Sequence, residues 1–502
     1  MADFMEEAYR RIRSSVSVSS AEPASTLPKL GQLDAARTSL PKLSDGNYLN
    51  GTGQQKTLDH LLNDIAPALN GQNLSGRYHG FVTGSTLPIA EVADNIVSAY
   101  DQNVQVHLPT QTIATEVEDA ALKMLIGLLE LGDVADWEGR TFTTGATASN
   151  ILGLACGREA VIQARLPKGA DGVGELGLLG ACAQAGIRDV QVLTSMGHSS
   201  LSKAASIVGL GRKSVKELPH SDHEPWRLDL HAVERELKRQ GIASIIALSA
   251  GEVNTGRFAL TGVEEMQKLR DLADRYGAWI HVDGAFGIFA RALPVDPEFS
   301  RLKAYAAGLE LADSITVDGH KLLNVPYDNG IFFTRKASVL TSVCQNPNAA
   351  YLSGGASDIQ SPLNVGIENS RRFRALPVYA VLLSEGREGI AHMLARMVRL
   401  ARGIAQAIKD SPDYVLLASE AASIEDTHIT HIIVLFRAKD ERLNDVLVET
   451  INSGGLWYVG GTKWKGQKAV RVAVASWRVN VEEDLAAVKQ YLASIAQQHK
   501  SG

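Results

Sequence analysis

The middle of the chain alternates between two hydrophobic periods, and this limits the fold more than any other feature of the sequence. Short β-branched or apolar runs stand at RTFTT, DVQVLTS, ASIIALSA, AWIHVD, SITVD and GIFFTR. Between several of them lie segments of helical period: ILGLACGREAVIQAR, LSKAASIV, LHAVERELKRQ and VEEMQKLRDLADRYG. Strands alternating with helices of this length build a largely parallel sheet covered on both faces. The expected fold class is α/β.

The flanks read differently. Residues 1–15 have the spacing of a short amphipathic helix and lack the apolar stretch of a secretory signal. Residues 14–56 are rich in Ser, Pro, Gly and Thr and read as an extended or loosely structured arm. Helical patterns follow in LDHLLNDIAPAL, IAEVADNIVSAY and IATEVEDAALKMLIGLLEL. Beyond the turn-rich NPNAAYLSGGASDIQSPLNVG the chain is helical again, then gives strands at HIIVLFRA and AVRVAVAS and a last helix, VEEDLAAVKQYLASIA. The expected division is an N-terminal arm with helices over 1–85, a large α/β domain over 86–384 and a smaller α+β domain over 385–502.

Composition removes several function classes. The net charge of −6 comes without long single-sign runs, unlike the basic stripe of a nucleic-acid binder. The cysteines, Cys156, Cys182 and Cys344, are few and far apart. They suit neither a disulfide framework nor a zinc site, so a reducing compartment, the cytoplasm, is expected and no metal. No stretch approaches about 20 consecutive apolar residues, so no membrane span is expected.

Ligands of open α/β sheets sit at the carboxyl ends of the strands, and four strand ends carry chemistry. In TFTTGATASN a strand runs through Thr144-Gly145-Ala146-Thr147 straight into a helix, a small-residue turn suited to an anion or to plain capping. In VLTSMGHSS, His198 follows a strand and opens a helix, the place of a cap or a ligand contact. In AWIHVDGAFG, Asp283 ends a buried strand, where a carboxylate needs a partner such as a protonated nitrogen, a helix N-terminus or a metal. In SITVDGHKLL, Lys321 follows a strand beside His320 and Asp318. A desolvated lysine is more readily the neutral amine that forms a Schiff base. Pyridoxal phosphate needs this ordered set: an anion site, a stacking partner, an acid for the pyridine nitrogen and an imine lysine.

With these residues in place, the sequence resembles the group II pyridoxal-5′-phosphate-dependent amino acid decarboxylases, from about Tyr78 to the C-terminal region. The resemblance implies fold type I, the aspartate aminotransferase-like fold. It implies decarboxylation of an L-amino acid to an amine and CO₂. TGATASN resembles the family's phosphate loop, which gives Ala146 and Thr147 phosphate contacts. HSSLSKA gives His198 the stacking place. HVDGAFG implies that Asp283 pairs with the pyridine nitrogen and that Ala285 packs on the ring. DGHK makes Lys321 the Schiff-base lysine, with His320 and Asp318 at the phosphate. AVRVAVASW places Arg471 at the substrate carboxylate, and FVTGSTLP places Thr83 in the substrate pocket, with 81–83 and 107–109 as lining candidates. The family works as homodimers with sites at the interface, which implies an N-terminal arm wrapped on a neighbour.

Three positions depart from the family pattern. Glu252-Val253 replaces a Thr-Thr pair near the cofactor. Gly319 replaces the proline before His-Lys, a change a tight turn tolerates. The stretch SGGASDIQSPLNVGIENSRRF, containing the mobile loop expected near 351–366, lacks the tyrosine that protonates the carbon left by CO₂. Pro362 falls near that place, and Tyr351 lies upstream. The alternatives are therefore an aldehyde synthase or other lyase on the same scaffold, or an inactive regulatory paralogue.

Overall fold

The computed structural model describes residues 2–16, 25–46, 48–346, 359–418 and 424–501. Among them twelve strands form. They are β1 (Tyr78–His79), β2 (Gly139–Thr143), β3 (Asp189–Thr194), β4 (Val215–Glu217), β5 (Ile242–Ser249) and β6 (Trp279–Asp283). After them come β7 (Ser314–Asp318), β8 (Gly330–Thr334), β9 (Tyr414–Leu416), β10 (Ile433–Ala438), β11 (Tyr458–Trp464) and β12 (Gln467–Ala473).

The larger sheet runs in the order β2-β8-β7-β6-β5-β3-β4. β7, β6, β5, β3 and β4 pair in parallel, and β8 runs antiparallel to both β7 and β2. β2 therefore points the same way as the parallel set, and all their carboxyl ends open on one edge. β5 shows why the sequence reads as apolar runs there. Ile245 and Ala247 face one core cluster, and Ile246 and Leu248 face the other. Side chains alternate across the sheet, and both faces are covered. The helix Ala146–Gln163 crosses β5, β6, β7 and β8 on one side. The long helix Ala375–Asp410, broken at Gly386, packs on helices Pro88–Tyr100 and Ala114–Leu128.

The smaller sheet has the order β1-β11-β12-β10-β9. β1 joins β11 in parallel, pairing Tyr78 with Tyr458. A short strand near residue 78 thus completes a sheet whose other strands lie beyond residue 413. β12 carries Arg471 in register with Leu435 of β10 and Gly460 of β11.

Several expectations needed correction. The arm is not loosely structured throughout: Leu30–Ser39 is a helix that buries Ala36. Its turn-rich surroundings masked the LGQLDAARTS pattern. The N-terminal helix forms as Ala2–Val16, with Arg13 2.8 Å from Glu91 and the Tyr9 hydroxyl 3.1 Å from Asn95 Nδ2. The helix read at LDHLLNDIAPAL begins at Gln54 and narrows from a π turn to a 3-10 turn around Pro67, whose nitrogen has no hydrogen to donate. Strands β4, β9 and β11 were not read from the sequence; β11 carries Gly460, Gly461 and Lys463, which blur its alternation. Among the described residues no helix is long and apolar enough to cross a membrane.

Candidate active site

A cavity of about 550 Å³ opens at the carboxyl edge of the large sheet. Five strand ends feed it. Thr144 to Ala148 come from the end of β2, His198 from beyond β3, and Ser249, Gly251 and Val253 from β5. Asp283, Ala285 and Phe286 come from β6, and Asp318, His320 and Lys321 from β7. Phe81 and Val82, just past β1, and Arg471 of β12 close the remaining side.

The turn after β2 is anchored by charge. Ala146, the first residue of its helix, donates its backbone N–H to Asp318 Oδ1 at 2.6 Å. The second oxygen, Oδ2, lies 2.8 Å from Lys321 Nζ and 3.6 Å from His320 Nε2. A helix N-terminus favours an anion, and here the anion is the Asp318 carboxylate. Burial holds His320 below its ordinary pKa, and its Nδ1 accepts from the Asn329 backbone at 3.2 Å. The ring lies 4.5 Å from that of Tyr327. Gly319 has a different reason from the turn expected: a Cβ there would stand 2.5 Å from Asn329 Oδ1.

His198 is both cap and cavity wall. Its Nδ1 accepts from the Ser200 backbone N–H at 3.2 Å and lies 2.7 Å from the Ser200 hydroxyl. An Nδ1 that accepts leaves the ring hydrogen on Nε2. Asp283 finds its partner in Asn150, whose Nδ2 donates to Oδ2 at 2.8 Å, and in the Ala285 N–H at 3.3 Å. Phe286 places its ring 6.0 Å from Lys321 Nζ.

Arg471 makes no ion pair among the described residues. Its Nη2 donates to the Gly80 carbonyl at 2.8 Å, and Nε has no partner. Burial pulls its pKa down, partly offset by Glu252. A half-buried guanidinium on a cavity wall, hydrogen-bonded only to the carbonyls of Gly80 and Val253, is prepared for a carboxylate. Glu252 does not line the cavity. It accepts from the backbone N–H groups of Asn254 and Thr255 and from the Thr255 hydroxyl, and burial raises its carboxyl pKa.

Thr83 is the sequence candidate the cavity lacks. Its hydroxyl is buried without a hydrogen-bond partner among the described residues, and Phe81 and Val82 line the wall instead. His107 also stands off the cavity, with Nδ1 2.8 Å from the Thr115 hydroxyl. Pro362 is buried at the start of a short 3-10 helix and does not line the cavity. Leu363 next to it donates its backbone N–H to the Gln105 carbonyl at 3.0 Å. Tyr351 and the loop as far as residue 358 lie outside the described residues. Sequence reading missed Asn150 and Phe286 as site neighbours. Both sit inside motifs it had singled out, TGATASN and HVDGAFG.

An amine, a fixed carboxylate and a helix N-terminus facing one another suit the chemistry of pyridoxal 5′-phosphate. The fit holds at the cradle: a Cβ on Gly145 would approach His320 Cε1 to 3.2 Å and Asp318 Oδ1 to 3.6 Å, so the missing side chain keeps that space open. With its mostly parallel sheet, the chain is a pyridoxal-phosphate enzyme of fold type I. More narrowly, it belongs to the pyridoxal-dependent decarboxylase family, whose conserved-domain model matches residues 54–439, and it is a carboxy-lyase. An L-2,4-diaminobutyrate decarboxylase of Acinetobacter baumannii is 24% identical over 426 residues, 82% of this chain and 77% of that protein. A phenylacetaldehyde synthase of Arabidopsis thaliana is 24% identical over 291 residues, 56% of each chain. The fold matches that of Oryza sativa TDC, solved with PLP and tryptamine, at a TM-score of 0.80 and 20% identity, covering 99% of this chain and 98% of that one.

Proposed function

We propose that this cavity decarboxylates an L-amino acid to the amine, with Lys321 as the covalent anchor of the cofactor. The observation that carries the reading is Arg471, a half-buried cation that makes no ion pair among the described residues, on the cavity wall opposite the strand ends. The bound cofactor supplies an electron sink for the bond broken at the α carbon. The protein's own residues do the rest. Arg471 holds the substrate carboxylate by charge-assisted hydrogen bonds. Asp283, fixed by Asn150, would pair with the cofactor's ring nitrogen and favour its protonated form, Ala285 and His198 would pack against the ring, and Ala146, Thr147 and His320 would hold the phosphate. Thr83, off the wall, stays a proposed substrate contact only by way of its unpartnered hydroxyl. Binding energy at the carboxylate and side chain orients the bond that breaks.

Reprotonation at the α carbon needs an N–H or O–H on the cavity wall. His198 Nε2 and the Lys321 amine are nitrogen donors on that wall, whereas Pro362, at the place of the family's tyrosine, has no N–H or O–H to give. The same observation favours a second reading, oxidative deamination to an aldehyde, the activity named for the Arabidopsis relative. Incubation of cofactor-loaded protein with a panel of amino acids separates them by mass spectrometry. Amine and CO₂ support the first reading; aldehyde, ammonia and peroxide support the second. A visible band that borohydride bleaches is expected in the wild type and absent from Lys321→Ala. Its absence from the wild type would support the inactive paralogue.

We also propose a homodimer in the cytoplasm and a division of the chain near 385, beside the break at Gly386. Val92, Ile96 and Tyr100 stand exposed four residues apart on one face of helix Pro88–Tyr100. An apolar stripe of that kind suits a second copy. A monomer in size-exclusion chromatography at micromolar concentration contradicts it.

A further inference from the structure

Behind Asp283 lies a chain of buried polar side chains of which only Asn150 has a part in the proposed reaction. Asn150, His281, Ser314 and Thr316 are fully buried, and Trp279 nearly so. Trp279 Nε1 is 2.9 Å from Ser314 Oγ, and Ser314 Oγ is 2.8 Å from His281 Nδ1. His281 Nε2 is 2.9 Å from Asn150 Oδ1, and Asn150 Nδ2 is 2.8 Å from Asp283 Oδ2.

The direction of every hydrogen follows from the chemistry of the two ends. A carboxylate only accepts, so the Asn150 amide turns its NH₂ toward Asp283. Its oxygen then faces His281 and accepts from Nε2, and from the Thr316 hydroxyl at 3.0 Å. His281 with hydrogen on Nε2 must accept at Nδ1, so the Ser314 hydroxyl donates to it. Indole N–H only donates, so Trp279 donates to Ser314. Burial agrees, holding His281 down to about 4 and hence neutral over ordinary pH. All donors therefore point toward Asp283.

Asn150 has a second branch. Its Nδ2 lies 3.3 Å from Ser200 Oγ, and Ser200 Oγ lies 2.7 Å from His198 Nδ1. One amide thus serves both Asp283 and His198. It stands one helical turn beyond Ala146, so the helix that begins at the anion cradle also carries this hub. The packing is built for it: a Cβ on Gly153 would lie 2.2 Å from His281 Cε1. Apolar residues fill a sheet–helix interface at lower desolvation cost, and a buried polar network is stable only when every member is satisfied.

We infer that Asn150 is a positioning residue for the cofactor, the hub of a one-way hydrogen-bond relay through His281, Ser314 and Trp279. The relay holds Asp283 as an acceptor for the ring nitrogen and fixes His198 in one tautomer. This rests on the cofactor reading above.

The test uses the holoenzyme with Asn150→Ala and Ser314→Ala, and two readouts besides turnover. One is the dissociation constant for pyridoxal phosphate; the other is the NMR shift of the cofactor's isotope-labelled ring nitrogen, which reports its protonation. Thermal unfolding of the apoproteins is measured alongside. Asn150→Ala is expected to weaken cofactor binding roughly 10-fold, the effect of losing a hydrogen bond to a charged group. It is also expected to move the nitrogen shift toward the unprotonated value. Ser314→Ala, farther along the relay, moves both readouts the same way by less and decides the matter if Asn150→Ala does not fold. Lowered melting with an unchanged nitrogen shift and unchanged affinity overturns the relay. A wild type that binds no cofactor overturns the site itself, and the relay with it.

Discussion

Asp318 Oδ2 lies 2.8 Å from Lys321 Nζ, with the carboxylate almost wholly buried. The same carboxylate occupies the Ala146 N–H at the mouth of the cradle. A phosphate arriving there meets a like charge already in contact with its amide. Asp318→Asn keeps the shape and an acceptor for Ala146 but drops the charge. The apoprotein is expected to lose about 2 kcal/mol, less than a fully buried pair because the lysine is partly exposed. Inorganic phosphate is expected to stabilise the variant more than the wild type. Urea titrations with and without phosphate measure both, and equal responses contradict the competition.

Arg471→Met separates binding from stability. The guanidinium is half-buried and makes no ion pair among the described residues, so its removal relieves desolvation while freeing the Gly80 carbonyl. These terms offset, and unfolding free energy is expected to change by less than about 1 kcal/mol. kcat/KM is expected to fall roughly 100-fold, from loss of charge-assisted hydrogen bonds to the substrate. A large stability loss with intact kcat/KM makes Arg471 structural.

Gly84 sits against the catalytic turn. Its N–H donates to the His320 carbonyl at 3.2 Å, and a Cβ would lie 2.1 Å from the Lys321 carbonyl oxygen. Both atoms are backbone, so neither can yield by a rotamer change. Gly84→Ala is expected to cost about 3 kcal/mol in denaturant unfolding and to weaken cofactor binding. Near-normal stability shows that the turn moves freely.

His431 gives a pH signature. Neither ring nitrogen has a hydrogen-bond partner among the described residues, and the ring stacks 6.3 Å from Phe286. Burial holds its pKa down to about 3. Below pH about 6.5 the unfolded chain takes up a proton that the folded one refuses. The histidine's contribution is thus full above 6.5 and is lost as pH falls toward 3. His431→Phe removes that loss. Its stability advantage over wild type is expected to grow by about 1.4 kcal/mol per unit as pH drops below 6.5. A difference independent of pH shows that the ring finds a proton partner when folded.

The large sheet was legible because its strands are buried on both faces and leave unbroken apolar runs. The strand-end residues were legible because a parallel sheet sends its carboxyl ends to one edge, so Ala146, Asp283 and Lys321 converge from distant positions. Thr83 and His107 do not line this cavity, and neither sits at such an end. Their positions depend on how loops fold back, which no local period encodes. Asn150 went unremarked for another reason. Its importance lies in contacts with His281 and Asp283, more than a hundred residues away. Strand β1, two residues long, is made by its partner β11 and not by its own pattern.

That last pairing orders events at the ribosome. Tyr78 leaves the exit tunnel early, but its hydrogen-bonding partner is Tyr458. Gly80 likewise waits for Arg471. During synthesis the wall carrying Phe81 and Val82 has nothing to close against until nearly the whole chain has emerged. Domains generally mature from the N-terminus as they are made, yet here an N-terminal segment finds its partners only in the C-terminal sheet, so this wall of the pocket depends on the late part of the chain while the sheet bearing Lys321 does not.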